Sequence, residues 1–208
     1  MTSRAVAAAI TALMVDLVLP GSAWAQRGLG DAPVTVMTLP ASPSPLDIAP
    51  FSPAELDIPS IGVTSVVAPV ATVIAPAPFL GGRAVPTFAV PPDAASVGWW
   101  ADGPLIGAPG MAILLGHSQV GGYAVFNRLG ELHPGDQVKV IDGTGGERAS
   151  FQITQVVTGV PKNDPEALRR VLSDNDQSAQ LALITCGGDF DPGYRASADN
   201  VVAFAARS

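Results

Sequence analysis

Two apolar runs of strand length dominate the hydrophobic pattern: Met111-Ala112-Ile113-Leu114-Leu115 and Leu181-Ala182-Leu183-Ile184. Each is continuous rather than alternating, as in a buried strand, and each is too short to make a convincing helix. The first ends at Gly116-His117 and the second at Thr185-Cys186-Gly187-Gly188, so both hand over to loops. Residues 56–63 alternate and turn, and residues 66–74 are rich in β-branched side chains, with Pro69 marking an edge or a bulge. Shorter strands are expected over 85–90, 137–141, 149–157 and 201–205. Turns are expected at Pro91-Pro92, His133-Pro134-Gly135-Asp136 and Asp142-Gly143. Residues 189–200 read as a loop.

Helical signals are few. Phe126, Leu129 and Leu132 recur every third position, and Asp164-Pro165-Glu166 reads as a cap, a proline and an acidic first turn ahead of Leu168, Val171 and Leu172. Of the adjacent Trp99 and Trp100, one is expected to pack inward and the other to cover an edge or a groove. Strands separated by turns, with short helices only, predict an all-β sandwich or barrel.

Composition supports this picture. Twenty prolines and 22 glycines fit a chain of many turns, and 48% hydrophobic residues suffice for a sizeable core. A net charge of −7 argues against a nucleic-acid partner, because phosphate binding needs a basic patch. One cysteine forbids an intramolecular disulfide and a Cys₂His₂ zinc site, and no carboxylate cluster suggests a metal; no cofactor is expected.

Residues 1–25 read as an export signal or an N-terminal membrane anchor. Arg4 supplies the positive start, residues 5–19 are largely apolar, and Ala23-Trp24-Ala25 forms a small-x-small cleavage pattern. Residues 26–54 are rich in proline and alanine and read as an extended linker, and the folded domain is expected over 55–208. The working domain is therefore expected outside the cytoplasm, with a possible N-terminal membrane contact, and is expected to be monomeric.

Candidate chemistry sits at the two strand ends. Cys186 can be a small buried hydrophobe or a nucleophile held by a rigid strand next to an open edge. His117 can be a satisfied structural histidine or the partner such a thiol requires. A cysteine nucleophile needs a group that favours the thiolate, an acid for the leaving amine and donors for an oxyanion. His117 can serve the first two, and Arg195 can serve the third or be a solvated loop charge. His133, in its turn, reads as a surface residue.

The segments Leu56-Asp57-Ile58-Pro59-Ser60-Ile61-Gly62-Val63, Val97-Gly98-Trp99-Trp100, Leu115-Gly116-His117, Leu183-Ile184-Thr185-Cys186-Gly187-Gly188 and Asp199-Asn200-Val201-Val202 resemble, in order and spacing, a sortase. The likeness is greatest to the class F sortases of Gram-positive actinobacteria. It implies a closed eight-stranded β-barrel and a cysteine transpeptidase. Such an enzyme cleaves an LPXTG-like sorting signal between Thr and Gly through a thioacyl intermediate and transfers it to an amine acceptor of the cell wall or a pilin. By the same resemblance Cys186 is the nucleophile, His117 the acid and base, Arg195 the substrate-positioning and oxyanion-stabilising cation, and Thr185 a contributor to substrate binding. The family pattern places its arginine close before the final strand, a position that Ala198 occupies here. Three rivals stand beside this reading. One is an L,D-transpeptidase, whose His-Gly before the cysteine is absent here. The second is a hydrolase using the same site. The third is a non-catalytic secreted β-barrel that binds sorting-motif peptides.

Overall fold

The structure, a computed structural model, describes residues 48–144 and 148–208. The expected export segment and residues 26–47 of the expected linker lie outside the described residues. Ile48 and Phe51 already pack on the core, and Phe51 pairs with Ile106 just ahead of the first strand.

The strands are β1 (Pro53–Ile58), β2 (Val63–Val70), β3 (Thr72–Ala77), β4 (Arg83–Phe88), β5 (Val97–Trp100), β6 (Ala112–Gly116), β7 (Gln137–Asp142), β8 (Arg148–Pro161), β9 (Leu181–Asp191) and β10 (Ala196–Arg207). Eight of them close into a barrel in the order β1-β2-β5-β6-β9-β10-β8-β7, while β3 and β4 form a separate two-stranded ribbon. The expected closed eight-stranded barrel is therefore what the chain forms. Closure leaves no unpaired sheet edge in the barrel itself.

The two apolar runs are the neighbouring parallel strands β6 and β9, with Leu114 opposite Leu183 and Leu115 opposite Ile184. They are continuous because both faces are covered. Leu114, Leu181 and Leu183 point into the barrel with Phe126, Phe151 and Leu56. Ile113, Leu115, Ala182 and Ile184 lie on the outer face beside Val202 and Phe204, and cluster with Val160 and the helix α1 (Ala167–Asn175). Burying such aliphatic side chains contributes roughly 1.5–3 kcal/mol each.

Several local expectations needed correction. Residues 66–74 are not one strand: β2 ends at Val70, and the chain then leaves the barrel as the ribbon. Pro69 is tolerated because pairing of β2 with β1 stops at Val66, so beyond that point β2 bonds only to β5. The short helical segment expected from Phe126, Leu129 and Leu132 is a single 3-10 turn over Leu129–Glu131 rather than an α-helix. All three are buried, and the segment is a series of tight turns in which Leu129 N–H donates to Phe126 and Leu132 N–H to Leu129. Asp164 precedes the first turn of α1 rather than capping it directly, its carboxylate accepting from the Glu166 N–H at 2.9 Å.

The largest revision concerns residues 189–200. They are not a loop but the outer half of a hairpin: β9 runs on to Asp191 and β10 starts at Ala196. The Asp191 carboxylate accepts from the N–H groups of Gly193 and Tyr194 at 2.8 and 3.2 Å and closes the turn. The ribbon meets this turn. Its root is fixed by Trp100, whose indole N–H donates to Thr72 at 3.0 Å and whose ring stands edge-on to Phe88. Its tip places Phe79 against Tyr194, with ring centroids 4.9 Å apart. Trp99 instead faces the core, as expected of one of the pair.

Candidate active site

Side chains alternate across a strand, so the outer-face positions of β6 continue Ile113, Leu115, His117, and those of β9 continue Ala182, Ile184, Cys186. Continued two residues past its last pair, Leu115 opposite Ile184, this parallel register sets His117 level with Cys186. Adjacent strands lie about 4.8 Å apart, so this continuation sets the backbones of His117 and Cys186 at neighbouring strand ends. Sequence and fold agree on why: both strands are anchored by buried aliphatic residues, then stop at the polar, glycine-bearing segments that open a cleft.

Two hydroxyls bracket the pair. Backbone pairing between β6 and β9 ends at Leu115 and Ile184. Beyond it, Thr185 Oγ1 donates to the Gly116 carbonyl at 2.8 Å and Ser118 Oγ donates to the Cys186 carbonyl at 2.7 Å. Side-chain bonds thus continue the strand pairing on either side of His117. The imidazole is held in turn from its far side: Nε2–H donates to the Pro91 carbonyl at 3.1 Å, which leaves Nδ1 as the ring nitrogen not spent on the scaffold. Pro91 belongs to a turn fixed by Asp93, whose carboxylate accepts from the Ala95 and Ser96 N–H groups at 2.8 Å each. Those bonds, the Ala95 N–H foremost, hold the Asp93 carboxyl below its usual range, and the nearby His117 charge adds to the effect.

Cys186 is half-buried and lines an open recess of about 290 Å³ bounded by Ser118, Gln119, Val120, Asn127, Gly187, Gly188 and Ser197. Asn127 shapes one wall, accepting from Gln119 N–H and donating to the Gly122 carbonyl, each at 2.7 Å. The glycines after Cys186 are required. A Cβ at Gly187 would come within 2.6 Å of Val201 Cγ2, and Gly188 adopts φ +72° with the Asp199 carboxylate lying where a side chain would go.

The other two sequence candidates stand apart from this recess. Thr185 is buried, and its hydroxyl is committed to Gly116 rather than to the cleft. Arg195 is exposed at the tip of the β9–β10 hairpin, in left-handed backbone with φ 53°. The residue opposite Cys186 on β10 is Asn200, and the pairing runs on to Asp191 opposite Ala196 before the turn that carries Arg195. At about 3.3 Å per residue, that is roughly 16 Å of strand between Cys186 and the turn. Ser118 and Asn127 carry no local signal, and Asn200 stands in the sequence only as part of Asp199-Asn200-Val201-Val202, because their places at the site become visible only in three dimensions. Among the described residues, no group of His, Cys, Asp and Glu is arranged to hold a metal ion, and no helix is long and apolar enough to cross a membrane.

The eight-stranded barrel agrees with the comparisons. Residues 56–208 match the sortase domain family. Among solved structures, sortase A from Corynebacterium diphtheriae is similar at 17% identity, with 77% of this chain and 62% of that chain covered and a TM-score of 0.51. Sortase E1 from Streptomyces coelicolor, solved with a tripeptide in the active site, is 18% identical over 76% of this chain and 88% of that chain, with a TM-score of 0.50. Sortase C from Streptococcus pneumoniae is 17% identical over 75% of this chain and 68% of that chain, also at 0.50. At these identities the likeness establishes the fold. No curated protein is close enough in sequence to count as a match. Because the family match spans the whole barrel from β1 to the C-terminus, the chain belongs to the sortase domain family.

Proposed function

We propose that this sortase-family protein is an extracytoplasmic cysteine transpeptidase of the class F type. Its substrate is an LPXTG-like sorting signal of secreted proteins, cleaved between Thr and Gly, and its acceptor is an amine of a cell-wall precursor or a pilin. The reading is supported by the β6–β9 register, whose continuation past Leu115 and Ile184, held by the Thr185 and Ser118 hydroxyls, sets His117 and Cys186 at neighbouring strand ends.

The chemistry follows from that pair. The Cys186 thiolate attacks the threonine carbonyl carbon, and the C–N bond to glycine breaks as protonated His117 gives its proton to the leaving amine. The threonine is left as a thioester on Cys186. An incoming amine adds to this thioester, loses a proton to His117 and expels the thiolate, restoring both groups. Pro91 keeps Nε2–H engaged throughout, so the proton passes through Nδ1. The tripeptide in the active site of the Streptomyces sortase E1 supports a peptide as the ligand of this face. The location outside the cytoplasm rests on residues 1–25 as an export signal or membrane anchor.

A second reading, a barrel that binds sorting-motif peptides without turning them over, draws support from one observation: Arg195 sits at the hairpin tip, away from Cys186. Incubation of the purified protein with an LPXTG-type peptide, with and without an added amine, separates the readings by chromatography of the products. A new peptide–amine conjugate supports the transpeptidase. Release of the free acid alone makes the protein a hydrolase, and peptide binding without cleavage supports the binding barrel.

A further inference from the structure

The cleft needs a cationic or N–H donor where negative charge develops on the attacked carbonyl oxygen, and Arg195 lies too far along the hairpin to supply it. From the arrangement of β8 and β10 we infer that Lys162 supplies this donor; the inference rests on the transpeptidase reading above. Lys162 follows the last residue of β8. Its backbone N–H donates to the Ala198 carbonyl at 2.9 Å, extending the pairing of Pro161 with Asp199 by one step. Val160 faces the outer cluster, so alternation returns Lys162 to the same outer face as Cys186.

Lys162 is bonded to Ala198 of β10, the strand that pairs with β9, and Gly188 of β9 lines the recess with the Asp199 carboxylate standing over it. The half-buried lysine donates from its ammonium to the Ser197 carbonyl, at 2.9 Å, and Ser197 is another residue of the recess. That contact uses one of the three ammonium protons, leaving two for a ligand. Four other cations are paired with carboxylates: Arg128 with Glu131, Lys139 with Asp57, Arg169 with Glu166 and Arg170 with Asp164. Among the described residues no carboxylate forms a salt bridge with Lys162, so its charge is available to the cleft. A lysine acts here as a point charge on a flexible four-carbon stem, which suits a peptide carbonyl oxygen.

The test compares Lys162→Met, Lys162→Gln and Lys162→Arg in the full chain. The readouts are kcat and KM for an LPXTG-type peptide and, separately, the rate at which iodoacetamide alkylates Cys186. Lys162→Gln keeps an N–H for the Ser197 carbonyl and guards against a folding defect. The expected result is a loss of kcat on the order of a hundredfold for Met and Gln, as for removal of an oxyanion donor. Lys162→Arg retains most of kcat, and alkylation is unchanged in all three because the thiol itself is untouched. Wild-type kcat in Lys162→Met or Lys162→Gln overturns the inference and leaves the transpeptidase reading intact. A parallel fall in alkylation would also overturn it, since Lys162 would then be supporting the thiol. A wild-type protein that never acylates Cys186 overturns the reading and the inference together.

Discussion

Asn200, not Arg195, stands opposite Cys186 in the β9–β10 hairpin. The arginine occupies the exposed turn beyond Asp191 and Ala196, next to Tyr194, which is braced against Phe79 of the ribbon. An aromatic contact of this kind contributes about 0.5–1.5 kcal/mol, enough to bias where the turn rests. Arg195→Ala should therefore leave kcat/KM for a sorting-signal peptide within about threefold of wild type, the size of effect expected for an exposed charge. A loss approaching that of removing an oxyanion donor would mean that the hairpin folds back during turnover.

The hydroxyls of Ser118 and Thr185 cross-link the two strand ends where the backbone pairing has stopped. Their contribution should act through His117. Ser118→Ala should slow alkylation of Cys186 by iodoacetamide about fivefold, the factor carried by roughly 1 kcal/mol of hydrogen bonding, and Ser118→Thr should restore it. In a His117→Ala background the same change should have no further effect, because residues acting through one another are not additive. Equal effects in both backgrounds would reduce Ser118 to a general structural role.

Gly116 lies directly before His117, and a Cβ there would overlap the ring of Phe126, which is fully buried and whose N–H donates to the His117 carbonyl at 3.0 Å. Gly116→Ala should lower stability by about 1–3 kcal/mol, the usual cost of overpacking, measured by urea unfolding. It should also impair turnover more than an equally destabilising core change such as Ile153→Val, since it displaces the histidine's own segment.

The Asp93 carboxyl is held below its usual range by the Ala95 and Ser96 N–H groups. A group whose folded-state pKa is depressed stabilises the fold above its unfolded value, about 3.9, and loses that contribution as pH falls through the folded value. Asp93→Ala should therefore unfold at a lower temperature than wild type at neutral pH, with the difference fading below about pH 4. Because the Asp93 turn carries Pro91, the variant should also lower kcat by loosening the Nε2–H bond of His117. A melting-temperature gap that persists unchanged into acid would show that the carboxylate charge is not what holds the turn.

The sequence revealed the parts of this molecule that burial writes into it. The runs ending at His117 and Cys186 were legible as strands because Ile113–Leu115 and Leu181–Ile184 are covered on both faces. Their partnership was inferred from chemistry and resemblance, whereas its geometric basis, a shared parallel register, carries no local signal. The ribbon was read as parts of two separate strands because Pro76 and Pro86 interrupt its pattern and its residues are exposed or only half-buried. The outer half of the β9–β10 hairpin was taken for a loop because its polar residues face solvent; backbone pairing and the Asp191 turn build it, not hydrophobic alternation. Nothing in the local sequence marks Lys162, because only the adjacency of β8 and β10 brings it to Ser197.

The most direct measurement is intact-mass analysis of the protein during reaction with an LPXTG-type peptide, followed by fragmentation to locate the adduct. The account predicts a transient mass increase equal to the acyl fragment ending in threonine. That fragment should sit on Cys186, be absent in Cys186→Ala, be strongly reduced in His117→Ala, and be discharged when an amine is added. A peptide that is cleaved without any adduct, or an adduct on another residue, would contradict it.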